Sequence, residues 1–197
     1  MEFICQNESI EAEPEALSTL ATRADGSMRD ALSLFDQVYA FSGASLSAEA
    51  VRQVLGIPPD ELYDELLRAV IAQDKQASFT VLRKFYDRGI DIEEILRGFG
   101  MYLHTILYVK QADFTPEYIG ISAQRHAHLL KLSEHITDGD ILRYTKTISD
   151  IMFELKASPN ALLTLEMGVA RLASLDRVVS LSELISSSQL AEGQKKK

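Results

Sequence analysis

Arg23-Ala24-Asp25-Gly26-Ser27-Met28-Arg29-Asp30-Ala31-Leu32-Ser33-Leu34-Phe35-Asp36-Gln37 reads as the end of one helix and the start of the next. Gly26 suits a left-handed helix cap, because without a Cβ it meets no penalty at positive φ. Ser27 and Asp30 form a Ser-x-x-Asp helix start, with Ser27 as N-cap and Asp30 as the capping-box acid. Beyond them Met28, Ala31, Leu32, Phe35, Val38 and Tyr39 fall on one stripe at the i, i+3, i+4, i+7 spacing of a packed helix. Arg29 stands in the first turn, off that stripe. Orphan N–H groups and the positive end of the helix dipole lie there, so a cation gains nothing from the dipole. Such an arginine either pairs with a nearby surface acid such as Asp25, the commoner arrangement, or converges with backbone donors on an anion.

Outward from this turn the apolar spacing is helical nearly everywhere, and no run alternates apolar and polar residues over strand length. Upstream, Pro14 suits a first helical turn, with Leu17, Leu20, Ala21 and Ala24 on one face. Downstream, Gly43 breaks the pattern, and Ser47 caps a short helix with Val51, Val54 and Leu55 inward and Gly56 at its end. Gly56-Ile57-Pro58-Pro59 is the clearest interruption, because two prolines cannot continue a helix and stiffen the connection. Longer helices follow. Residues 60 to 72 carry Leu62, Leu66 and Val70, and residues 75 to 88 carry Phe79, Leu82 and Phe85. A third starts at Asp91 with Ile92, Ile95, Leu96, Phe99 and Leu103 on its face. Gly98 and Gly100 inside it predict close packing or a kink. Residues 111 to 120 read as a connection. Helices are expected over 122 to 136 and over 139 to 157, the second with Ile141, Leu142, Ile148 and Ile151. Pro159 opens a last helix with Leu162, Leu165, Val169, Leu172 and Leu175 inward, followed by a possible short helix at 180 to 186. The expected fold is all-α: a small three-helix bundle over 1–57, a larger helical bundle over 58–178, and a tail or linker over 179–197.

A formal net charge of −9 argues against autonomous nucleic-acid binding, and Lys195-Lys196-Lys197 reads as a solvated tail. One cysteine, Cys5, permits no internal disulfide, which suits a reducing cytosol; no cation or histidine nearby would make it nucleophilic. No apolar run reaches the ~18 residues of a membrane span, and the start lacks signal-peptide features, so a cytoplasmic location without membrane partners is expected. Of His104, His126, His128 and His135, the middle two lie two apart and face different sides of a helix, so no metal site is expected. Glu93-Glu94 and Asp138/Asp140 are most simply helix-start residues. Tyr102, Tyr108 and Tyr144 suit a core or interface better than base stacking.

The stretch from residue 24 to 37 resembles the sensor-2 motif of AAA+ clamp loaders, in wording similar to the bacterial gamma/tau subunits of DNA polymerase III. The resemblance covers nearly the whole chain, with residues 14–56 similar to the family's lid and 58 to about 178 similar to its collar. Ala157-Ser158-Pro159-Asn160, followed by Leu162, Leu165, Glu166 and Arg171-Leu172, is similar to the last collar helix. The resemblance implies that Arg29 senses nucleotide by reaching the ATP phosphates, with Asp25, Gly26, Ser27 and Asp30 shaping its turn. It implies a collar that assembles a pentameric loader with other clamp-loader subunits, and ATP and Mg as needs of the parent protein. It implies a sliding clamp and primed DNA as partners of the parent complex. The chain contains no Gly-x-x-x-x-Gly-Lys-Ser/Thr, no acidic Walker-B strand and no cysteine cluster for the zinc of the family's core. Phosphoryl transfer needs a phosphate-cradling backbone and a metal site. The expectation is therefore a fragment with no catalytic residues, no cofactor of its own and no ATP hydrolysis alone. The rival readings are a stand-alone, non-enzymatic helical adaptor, and a different clamp-loader subunit or related AAA+ protein.

Overall fold

The structure, a computed structural model, describes residues 1–176 apart from residues 44 and 112. The expected short helix at 180 to 186 and the tail from 179 lie outside the described residues. In chain order the elements are α1 (Glu2–Asn7), β1 (Glu11–Ala12), α2 (Pro14–Arg23), α3 (Met28–Ser42), β2 (Ser45–Leu46), α4 (Ala48–Val54), α5 (Asp60–Ile71), α6 (Lys75–Asp87), α7 (Ile92–Val109), α8 (Pro116–Ile119), α9 (Ala123–Ser133), α10 (Asp138–Ala157) and α11 (Ala161–Leu172). The fold is all-α. Helix α1, the short α8 and the β1–β2 pair add to what the sequence led one to expect. The two strands run parallel, with Glu11 opposite Ser45 and Ala12 opposite Leu46. Two residues a side cannot display an alternating pattern, which is why none announces them.

Helix starts are set by side chains that satisfy orphan N–H groups. Ser47, Asp74, Ser122 and Asn160 each accept from the backbone N–H three residues on. Thr137 and Asp140 complete a reciprocal capping box, with Asp140 N–H donating to Thr137 Oγ1 at 3.1 Å and Thr137 N–H to Asp140 Oδ2 at 3.3 Å. The last helix begins at Ala161 under Asn160, so Pro159 precedes it rather than opening it.

Buried side chains fall into two clusters. The first joins Leu17, Leu20, Phe35, Val38, Leu46 and Val51 of α2, α3, β2 and α4, with Cys5 of α1. The second surrounds α7, whose Leu96, Phe99, Leu103 and Ile106 meet Leu66, Phe85, Leu129, Ile148 and Leu165. Extended helix-on-helix packing stays within each cluster: α2, α3 and α4 pack on one another, and α7 packs against α5, α8, α9, α10 and α11. Among the described residues, no helix is long and apolar enough to cross a membrane.

Several apolar positions expected inward face solvent. Met28 and Tyr39 flank the α3 seam, whose buried residues are Ala31, Phe35 and Val38, with Leu34 partly buried beside them. Ala21 on α2, Phe79 on α6, Leu142 on α10 and Leu162 on α11 are likewise exposed. A helical stripe is wider than the seam between two partners, so its flanks are covered only where a third element reaches them. On α6 the seam is Ser78, Val81, Leu82 and Phe85. Gly98 serves close packing: α7 runs unbroken past it, and Tyr63 fills the space beside it.

Candidate functional site

The turn between α2 and α3 is built by two consecutive residues at positive φ. Helix α2 ends at Arg23, three residues before Gly26, and the chain reverses through Asp25 (φ 47°) and Gly26 (φ 80°). A Cβ at Gly26 would meet nothing within 4 Å, so glycine there answers the backbone angle rather than crowding. Ser27 N–H donates to the Ala24 carbonyl at 2.8 Å, and Ser27 Oγ accepts from Asp30 N–H at 3.3 Å. The reciprocal half of the expected capping box is absent, because the Ser27 N–H that Asp30 would receive is already given to Ala24. The Asp30 carboxylate sits in the first turn, where the helix dipole favours an anion.

Arg29 lies on the exposed side of this first turn. Among the described residues its guanidinium has no hydrogen bond or ion pair, so the surface pair with Asp25 does not form. Five N–H donors therefore stand open to solvent beside the positive end of α3.

Arg23, on the other side of the same turn, is held. Its Nη1 donates to Glu94 Oε2 at 2.8 Å, and its Nη2 meets Glu94 Oε1. The same carboxylate also receives Arg97 Nη2. Glu94 is buried, with a side chain only 8 % exposed. It belongs to the first turn of α7, where Asp91 Oδ1 accepts from the Glu93 and Glu94 N–H groups. The sequence reading of Glu94 as a plain helix-start acid is thus corrected: its partner lies 71 residues away, and no local spacing reveals it. A cleft of about 470 Å³ lined by Arg23, Leu55, Gly56, Gly89, Asp91, Glu94 and Arg97 surrounds the pair.

A second surface lies on α10 and α11. Their close approach leaves no room for a side chain at Gly168, where a Cβ would sit 2.6 Å from Ile151 Cδ1. Phe153, Leu163 and Met167 stand exposed along the seam, lining a shallow groove with Ala157, Ser158 and Thr164. Arg171 donates to Glu154 at 3.0 Å on its edge. Contiguous exposed apolar side chains of this kind mark interaction surfaces.

Among the described residues no grouping of His, Cys, Asp or Glu could hold a metal ion. His128 Nε2 stands 3.6 Å from Asp64 Oδ1, and Cys5 is buried. Tyr102 and Tyr144 lie in the core, while Tyr108 sits in a chain of rings, 4.6 Å from His104 and 4.8 Å from Phe114. Burial pushes the hydroxyl of Tyr86 up to about 12 and raises those of Tyr63 and Tyr102 as well. Asp60 is also raised, by burial, against the pull of Arg125.

Comparison with known proteins places the chain among relatives. A family model described as DNA polymerase III subunits gamma and tau domain III matches residues 46–187. A second, for the ATPase lid domain of the DNA polymerase III clamp loader subunit, matches residues 1–44. The DNA polymerase III subunit tau of Escherichia coli is 31% identical over 172 residues, covering 87% of this chain and 26% of that protein. The gamma subunit of Buchnera aphidicola subsp. Acyrthosiphon pisum is 25% identical over 174 residues, covering 88% of this chain and 48% of that protein. The chain thus spans between about a quarter and a half of the curated relatives it matches. The Bacillus subtilis DNA clamp loader delta protein shares the fold at 13% identity, with a TM-score of 0.51 over 87% of this chain and 53% of that chain. The two matched regions meet just before α4, yet α4 packs against α2 and α3.

Proposed function

The chain belongs to the family of DNA polymerase III gamma and tau subunits, and on that premise we propose that it is the lid and collar of a clamp-loader subunit. Residues 1–57 form the lid, and residues 58–178 form the collar. Arg29 reaches from the lid to the phosphates of an ATP held by a nucleotide-binding core that this sequence does not contain. The Asp25-Gly26-Ser27 turn aims it. ATP and Mg are needs of the parent protein, acting in the cytoplasm, and this chain alone carries out no phosphoryl transfer. The apolar face of α10 and α11 packs against neighbouring subunits of a pentameric loader, which places a sliding clamp on primed DNA.

The observation that carries this reading is the open guanidinium of Arg29 at the start of α3, in a turn matched by the lid model. An arginine without an internal partner, beside backbone donors, has the geometry for a phosphate. The test is ATP hydrolysis by the assembled loader carrying Arg29→Ala in the full-length subunit. The expected loss is about tenfold or more, the scale of one charge-assisted hydrogen bond in the transition state. Unchanged turnover would remove Arg29 from the nucleotide site.

A further inference from the structure

We propose that Glu94 is a positioning residue: through Arg23 it holds the turn that carries Arg29 in a set orientation on the α5–α11 bundle.

Four observations carry this. Arg23 ends α2 and Arg29 stands in the first turn of α3, so one tight turn with two positive-φ residues separates a tethered arginine from one that has no partner among the described residues. The tether is two-toothed, Arg23 Nη1 and Nη2 meeting the two Glu94 oxygens, a geometry that defines orientation as well as distance. Glu94 itself cannot follow the turn, being buried, on the central helix of the second cluster and in the stretch capped by Asp91. Finally, no extended helix packing joins the two clusters there, although Asp60 at the start of α5 also interacts electrostatically with Arg52 and Glu15. Extended helix packing stays within each, the chain crosses between them at Gly56 (φ 61°), and an open cleft surrounds the ion pair. The middle of α2 does approach the residue that follows α8, with Ser18 Oγ 3.5 Å from where a Gly120 Cβ would be. Loss of the pair would thus free the Arg23 end of α2 to swing about that contact.

Arg97 shares the carboxylate but lies on the same helix as Glu94, three residues on, so it cannot tie one cluster to the other. It satisfies the carboxylate without holding the lid. This difference separates a positioning role from a merely stabilising one.

The link to Arg29 rests on the nucleotide reading above; the tether is tested without nucleotide. In the full 197-residue chain with Cys5→Ala, spin labels at Gln37→Cys on α3 and Ser149→Cys on α10, both exposed, report the separation of the two clusters by pulsed electron paramagnetic resonance. The expectation is a single narrow distance, broadened about twofold or more by Glu94→Gln and unchanged by Arg97→Met, since a buried pair is lost only in the first. Arg23→Met, which breaks the pair from its more exposed side, repeats the broadening if Glu94→Gln does not fold. Adding Arg23→Met to Glu94→Gln broadens no further. An unbroadened distribution in Arg23→Met, or equal broadening by Arg97→Met, would overturn the proposal. Either result would leave the assignment of Arg29 standing, because that is judged on Arg29→Ala itself and not on the distance between the clusters.

Discussion

The hydroxyl of Tyr63 occupies the space that a side chain on Gly98 would need: a Cβ there would fall 1.9 Å from the phenolic oxygen. The ring has nowhere to retreat, with Phe85 at 5.4 Å, Tyr102 at 5.9 Å and Phe99 at 6.4 Å between centroids, and its hydroxyl donates to the Glu94 carbonyl at 3.4 Å. Helix α7 thus crosses α5 at a distance that only glycine allows. Gly98→Ala should destabilise the chain by about 1–3 kcal/mol through overpacking, after a gain of about 1 kcal/mol in helix propensity is offset. Gly100→Ala, two residues on, meets only Ile148 Cγ2 at 3.9 Å. It should stabilise by about 0.5–1 kcal/mol. Urea unfolding of both variants measures the contrast in sign.

Arg29 and Ser27 should separate cleanly by thermal melting. Arg29→Ala removes no partner among the described residues, so its effect should stay within about 0.5 kcal/mol. Ser27→Ala removes the N-cap of α3 and should cost about 1 kcal/mol. A drop of several degrees for Arg29→Ala would assign the guanidinium a structural role.

Alkaline titration should reveal the buried phenols. Burial raises Tyr63, Tyr86 and Tyr102 in the folded chain, Tyr86 to about 12. For a raised value the protonated form carries the stability: it is fully present below the ordinary tyrosine range near 10 and is lost as pH rises through the folded values. Phenolate absorbance at about pH 11 should therefore lack the contribution of these three tyrosines and recover it only on unfolding. Full ionisation while the helical circular dichroism persists would contradict the burial.

On the α10–α11 face, Phe153→Ser combined with Met167→Ser should leave stability within about 0.5 kcal/mol per site, since both side chains are more than half exposed. On the proposed function, association with other loader subunits should weaken by about tenfold or more, read by sedimentation velocity or light scattering of mixed subunits. Intact assembly would move the interface elsewhere.

Where the signal was local, the sequence could be read directly. Ser47, Asp91 and Ser122 announce helix starts because a cap acts within one turn, and Gly26 announces a left-handed residue because its own backbone demands one. Helix α1 and helix α8 leave no periodic signal, because six and four residues are too few to show a stripe. Periodicity groups Met28, Tyr39, Phe79, Leu142 and Leu162 with the apolar faces of their helices, yet all five are exposed, because it gives the direction of a face but not the width its neighbours cover. Within the candidate site, Arg29 and its turn were legible as a motif, whereas Glu94 looked like any acid in a first helical turn.

Spacing, caps and backbone angles act over a few residues, so the order of residues is enough to make the chain helical, to set where most helices start and to put Arg29 beside a capped turn. Long-range packing sets the rest: that Arg23 is tethered while Arg29 has no partner among the described residues, that Glu94 is buried between two arginines, and that Tyr63 needs a glycine opposite it. Each of those depends on which helices meet and how closely, a property of packed surfaces dozens of residues apart.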